Sequence, residues 1–278
     1  MVRKLSELIV LIKGGGEVAS GIAHRLHRSH FQVCLTEIAG PLAVSRGTAF
    51  SEAVFDGVKT IEGVTAQLVS ASPEEIYKVW QRGNIPIIID PGVLIKEKIE
   101  PDVLVDAIMA KRNLGTRITD ALLVIAMGLG FYAGKDVHIV VETNHSNNLG
   151  RVILDGEAER NTGTPVAIGG LSKERVIWAP QAGTFTTDRN IGDSVIAGEV
   201  VGRVGGLPLE APIGGILRGL MRSGVKVSKG VKLIEVDPVN DKAVCYVIRD
   251  KMRAIAGGVL EAIMLRFNVS ESSGGKEC

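Results

Sequence analysis

The chain has almost no net charge: 32 lysines and arginines stand against 31 aspartates and glutamates, +1 overall. There is no Lys/Arg block either, so no field exists to draw in nucleic acid or an anionic membrane surface. Cysteine is scarce. Cys34, Cys245 and Cys278 lie too far apart for a disulfide framework or a zinc pattern, and no metal site is expected. Cys34 falls within an apolar stretch and Cys245 beside one, as small buried hydrophobes do. Long apolar runs are lacking as well. The longest uncharged stretch, 121–134, is too short to cross a bilayer and contains three glycines. No signal peptide is read at the start, and a cytoplasmic protein is expected. What the chain does have is 45% hydrophobic residues over 278 positions, enough for a sizeable core. At about 100 to 200 residues per domain, that length predicts two domains.

One stretch organises the rest. The run Leu8-Ile9-Val10-Leu11-Ile12-Lys13 ends in Gly14-Gly15-Gly16 and opens into Glu17-Val18-Ala19-Ser20-Gly21. Val18, Ile22 and Leu26 then recur at i, i+4 and i+8, one apolar face of a helix. Gly14 and Gly16 fit the first two glycines of G-x-G-x-x-G, and Ala19 takes the third place. A second strand, Phe31 to Leu35, leads to Glu37, where an acid would receive a ribose hydroxyl. The pattern predicts a Rossmann-like domain over 1–150 that holds a nucleotide or dinucleotide.

Further apolar strands end in polar residues: 85–89 at Asp90, 103–109 at Lys111-Arg112-Asn113, 121–127 at Gly128 and Gly130, 137–141 at Glu142-Thr143-Asn144. In open α/β sheets, strand carboxyl ends form the rim of the ligand site. The last two connections are short for parallel crossovers, which leaves one of these strands open to an antiparallel placement. Ser72 caps a helix over 73–82, with Pro73 at its first position. Arg46 sits in a loop, either solvated, the plainer choice, or facing an anion in the cleft. His24, His27 and His30, interleaved with Arg25 and Arg28, read as a solvated basic face. His145 is the loop histidine nearest a strand end.

Beyond 150 the texture changes to short strands and glycine turns. A repeat with an offset of 32 residues pairs Gly192 with Gly224, Val195 with Val227 and Gly198 with Gly230. With Ala211-Pro212 between the copies, residues 180–237 resemble the barrel-sandwich hybrid of biotinyl and lipoyl domains. The expected domain spans 151–250. A carrier needs a lysine about where Val204 stands, beside Arg203, and arginine forms no amide to biotin or lipoate, which argues against a carrier role. A helix packing back over 251–269 and a frayed tail over 270–278 complete the expected α/β architecture.

Taken together, these segments resemble the accessory family of the selenium-dependent molybdenum hydroxylase system, related to the xanthine-dehydrogenase accessory factors. The resemblance rests on Gly14 to Gly21, Phe50-Ser51-Glu52-Ala53-Val54, Val105 to Thr116, Asp136-Val137-His138, Glu142-Thr143-Asn144, Leu149 to Ile153, Asn161-Thr162-Gly163, Leu217 to Leu220 and Gly257 to Ala262. It implies a maturation factor acting on a molybdenum hydroxylase apoenzyme. Such a factor would hold a molybdopterin-type cofactor while selenium or sulfur is installed, with the chalcogen brought by a donor protein. An aspartate usually stands in that family at Glu17, and paired arginines at Arg46-Gly47, so the loss of one arginine puts a phosphate clamp there in doubt.

The residues expected to bind cofactor are therefore Gly14, Gly15, Gly16, Glu17, Glu37, Arg46, Asp90, Lys111, Arg112, Asn113, Gly128, Gly130, Glu142 and Asn144. In that expectation the glycines cradle phosphate, Glu37 reads a ribose and Lys111-Arg112-Asn113 hold the anionic pterin end. Two other readings stay open: an NAD-dependent oxidoreductase, which Glu37 favours over NADP, and a non-catalytic docking scaffold. No general acid–base pair is evident, no catalytic residue is assigned, and a homodimer is the commonest assembly.

Overall fold

An apolar run with no alternation suits a strand buried on both faces, and β1 (Ile9–Lys13) lies at the heart of the largest sheet, every residue buried. A computed structural model describes residues 4–160 and 167–268. After β1 come α1 (Glu17–Arg28), β2 (Gln32–Glu37), α2 (Ala53–Asp56), β3 (Val58–Ile61), β4 (Val64–Val69), α3 (Pro73–Gln81) and β5 (Ile85–Ile89). They are followed by α4 (Lys96–Ile99), β6 (Val103–Asp106), β7 (Leu123–Met127), β8 (Tyr132–Ala133), β9 (Ile139–Val141) and β10 (Val152–Ile153).

Nine strands form one sheet in the order β10-β9-β7-β6-β1-β2-β5-β4-β3. The seven inner strands run parallel, and β3 and β10 close the two edges antiparallel. The short connections into β7 and β9 thus lead to parallel strands. The order reverses at β1: the chain leaves to one side through β2 and returns on the other through β6. Such a switch point opens a crevice at the strand carboxyl ends.

The second half contains β11 (Gly156–Glu157), β12 (Val176–Trp178), β13 (Gly183–Thr186), β14 (Ser194–Val195), β15 (Val200–Val204) and β16 (Leu207–Glu210). It continues with β17 (Gly215–Leu220), β18 (Lys226–Val227), β19 (Lys232–Asp237) and α5 (Asp250–Phe267). Two four-stranded sheets result, β12-β19-β17-β14 and β16-β15-β13-β18, around a core that includes Phe185, Leu217 and Leu233. The 32-residue repeat is visible in the backbone. Gly192 and Gly224 share φ near +88°, and Gly198 and Gly230 share φ near +81°, values a side chain rarely adopts.

The expected fold class requires correction. The chain is an α/β protein built on a large mixed sheet, and not a Rossmann-like domain followed by a barrel-sandwich hybrid and a separate helix. The main sheet has nine strands with antiparallel edges, and the crossovers from β6 to β7 and from β7 to β9 carry no α-helix. The C-terminal helix α5 packs back onto the first half of the chain. Its Ile255, Val259 and Ile263 belong to the same core as Ile22 and Leu26 of α1. The contact is close: a Cβ on Gly21 would sit 2.9 Å from the Met252 Cβ, and one on Gly258 would sit 2.1 Å from the Gly150 carbonyl oxygen.

The second half is also tied to the first. Val44 packs against the core of the paired sheets, and a Cβ on Gly47 would collide with the Cys245 carbonyl. The His24 ring is buried rather than solvated, with burial pushing its pKa down and the Glu62 backbone contact opposing that. Asn161-Thr162-Gly163 and the 270–278 tail with Cys278 lie outside the described residues. No helix among the described residues is long and apolar enough to cross a membrane.

Candidate functional site

At the switch point, a cavity of about 400 Å³ lies over the carboxyl ends of β1, β2 and β6. Its wall includes Lys13, Gly14 and Gly16 from the first strand and turn, Glu17 from the start of α1, Glu37 from the end of β2, and Met109 beyond β6. Its size falls within the range of small-molecule pockets. Apolar side chains such as Ile38, Leu42 and Val93 supply much of the remaining surface.

The turn is shaped by two glycines for different reasons. Gly14 has φ +100° and lies close to the Ala107 carbonyl, while Gly15 is wedged against the Ser51 backbone and the Ile87 side chain. Gly16 has neither constraint: φ is −68°, and a Cβ there would meet nothing within 4 Å. Gly16 nonetheless lines the cavity.

The turn's N–H groups are partly committed within the protein. Gly14 donates to the Thr36 carbonyl at 2.8 Å, and Gly15 donates to Glu37 Oε2 at 2.8 Å. Glu37 Oε1 accepts from the Ile38 N–H at 2.8 Å. Burial pushes the Glu37 carboxyl above its ordinary pKa, with the two backbone hydrogen bonds opposing that rise. Glu17, the first residue of α1, lies 3.0 Å from Arg249 Nε. Carboxylates thus already stand where an external phosphate was expected.

Lys13 was missed in the sequence, where it read as the polar end of a strand. Its side chain is 7% exposed, with Nζ 2.7 Å from Thr116 Oγ1 and 3.1 Å from Asp106 Oδ2. Asp106 is the cross-strand neighbour of Lys13 in the β1–β6 ladder, and it also accepts from Thr116 Oγ1 at 2.6 Å. The available signal was that two apolar strands each end in an opposite charge; only the pairing places the two side by side.

Other expected residues support the loops without lining the cavity. Asp90 accepts from the Ile95 N–H at 2.8 Å and turns the chain into α4. Asn113 accepts from the Gly115 and Thr116 N–H groups and donates to the Thr116 carbonyl, which holds the loop that presents Thr116 to Lys13. Lys111 and Arg112 are exposed outside the cavity, and Gly130 (φ +106°) lets their backbone approach. Gly128 makes room for the Thr143 hydroxyl. Glu142 accepts from the Thr143, Asn144 and Glu159 N–H groups, and the Asn144 amide donates to Glu159. Residues 111–113, expected to hold the pterin end, thus lie outside this cavity, with Asn113 committed to its own loop.

Arg46 also lies outside the cavity lining. Its Nε donates to the Leu220 carbonyl at 2.6 Å and Nη1 lies 3.2 Å from Glu52, so it fastens the second half of the chain to the first. Arg222 reinforces that clamp on Glu52 and Asp56. Cys34 is fully buried on the other face of the sheet from α1, with burial driving its thiol pKa far upward. A thiol in that environment is inert. His145 lines a second cavity of about 580 Å³ between the start of α5 and the paired sheets. Among the described residues, no cluster of three or more His, Cys, Asp or Glu side chains could hold a metal ion.

No protein-family model matches the chain. The chain is 44% identical to the uncharacterized protein YqeB of Escherichia coli (strain K12) over 257 residues, 92% of this chain and 47% of that protein. The chain thus spans about half the length of the curated relative it matches. Among solved structures, the ectoine utilization protein EutE (DoeB) of Ruegeria pomeroyi in its product-bound form is 12% identical, with 84% of this chain and 86% of that one covered and a TM-score of 0.25. An aspartoacylase family protein of Mesorhizobium loti is 10% identical, with 84% and 86% covered and a TM-score again of 0.25. Likeness at that level carries no functional argument.

Proposed function

We propose that this chain is a cytoplasmic maturation factor for selenium-dependent molybdenum hydroxylases, holding a nucleotide-containing, molybdopterin-type cofactor by its nucleoside end. The observation that supports this reading is the cavity at the switch point, where the glycine turn and the Glu37 carboxylate share one wall. Each Glu37 oxygen accepts one backbone N–H and keeps a second acceptor position. Vicinal ribose hydroxyls are donors suited to those positions.

The cofactor, when bound, supplies the metal at which selenium or sulfur is placed. The chain contributes holding and shielding. Gly14 and Gly16 let the ligand approach the backbone, and the apolar wall excludes water. The hydroxylase apoenzyme is the proposed partner, with the chalcogen delivered by a separate donor protein.

The pathway assignment is tested in cells that produce a molybdenum hydroxylase. Hydroxylase purified from cells lacking this protein is expected to contain molybdenum but little selenium and little activity. Full activity and normal selenium content in those cells would contradict the assignment.

A further inference from the structure

A nucleotide site is ordinarily expected to seat phosphate on its glycine turn, because free N–H groups and a helix N-terminus attract anions. Three features of this cavity oppose that arrangement. The Gly14 and Gly15 N–H groups are already spent on the Thr36 carbonyl and the Glu37 carboxylate. The first residue of α1, Glu17, brings its own negative charge to the helix terminus, balanced by Arg249. The cavity wall itself carries Lys13, Glu17 and Glu37, and Lys13 is balanced by Asp106. Counting these three and their ion partners, two cations face three carboxylates. Inside a partly desolvated site, an added phosphate would be repelled more strongly than in water.

What the cavity offers is one donor pole and one acceptor pole. An ammonium has three N–H donors. Lys13 Nζ donates to Thr116 Oγ1 at 2.7 Å and pairs with Asp106 Oδ2 at 3.1 Å, which fixes the ammonium of a residue that lines the cavity. Glu37 supplies the acceptors, and the surface between is largely apolar. Resting on the nucleotide reading above, we infer that the cavity recognises an uncharged ribonucleoside moiety. Glu37 accepts from the ribose hydroxyls, Lys13 donates to an acceptor atom of the same ligand, and any phosphate remains outside. Lys13 is thereby a specificity-determining contact, and Asp106 and Thr116 are positioning residues.

The test is calorimetric titration of the whole protein with adenosine, guanosine, cytidine and uridine, their 5′-monophosphates and their 2′-deoxy forms. At least one ribonucleoside is expected to bind, and adding the 5′-phosphate should change its affinity by less than tenfold. Removing the 2′-hydroxyl should weaken binding by roughly tenfold or more, the worth of a hydrogen bond to a charged group. The double variant Lys13→Met/Asp106→Leu removes both charges together, so the fold is retained and the net charge of the site is unchanged. It should weaken ribonucleoside binding by about tenfold. Tightening of tenfold or more by the phosphate, or full affinity in the double variant, overturns the inference and leaves the nucleotide reading standing. If neither nucleosides nor nucleotides bind, the nucleotide reading itself fails.

Discussion

Lys13 and Asp106 form an ion pair in which both side chains are less than one-tenth exposed, and pairs of this kind respond unevenly to mutation. Lys13→Met strands a buried carboxylate and should destabilise the fold by about 3–5 kcal/mol in urea unfolding, while Lys13→Met/Asp106→Leu should recover most of that loss. A single variant as stable as the parent would mean that Asp106 is hydrated and not truly buried. The residues at this site were unequally legible. Gly14, Gly16 and Glu37 could be read in order because a strand, its turn and the next strand lie within one short segment. Lys13 and Asp106 could not, because their adjacency comes from the β1–β6 ladder, which joins distant parts of the chain. The contact of Arg46 was hidden for a related reason: nothing local announces the Leu220 carbonyl, 174 positions later, that its Nε meets.

The packing of α5 makes two adjacent glycines behave oppositely. A Cβ on Gly257 meets nothing within 4 Å, whereas one on Gly258 falls 2.1 Å from the Gly150 carbonyl oxygen. Gly257→Ala should therefore stabilise the protein by up to about 1 kcal/mol through helix propensity. Gly258→Ala should destabilise it by about 1–3 kcal/mol through overpacking. Thermal unfolding of the two variants reads both, and equal shifts would show that α5 does not dock as described. Periodicity was sufficient to place this helix, with Ile255, Val259 and Ile263 on one face. It could not tell which glycine lay under a backbone, or that the helix completes the first core, since both depend on where Gly150 and α1 lie. The strands after residue 150 were legible through their glycine turns, but the arrangement of sheets depends on long-range pairing that local patterns do not encode.

Across the whole molecule, a chain of charges links the cavity to the paired sheets. Glu17 at the head of α1 meets Arg249, Arg249 meets Glu235 at 2.8 Å, and Glu235 also meets Arg175 at 2.6 Å and Lys232. Burial opposes ionisation of Glu235, yet Lys232, Arg249 and Arg175 outweigh it and hold its pKa far below the ordinary carboxylate range. A depressed carboxyl pKa stabilises the fold fully above its unfolded value of about 4, and that stabilisation is lost as pH falls toward the folded value. Glu235→Gln should thus cost about 3–5 kcal/mol at neutral pH. Its deficit against the parent should shrink below about pH 4; a deficit independent of pH would remove the charge network as its cause. The network thus ties the second half of the chain to Glu17 in the wall of the cavity. The direct measurement is to denature freshly purified parent protein and Gly16→Phe, a bulky substitution in the cavity lining, and to identify the released material by absorbance and mass. A ribonucleoside-containing compound released from the parent and missing from the variant is the predicted result. The same compound released equally from both, or material from the parent that contains no ribonucleoside, would contradict the account.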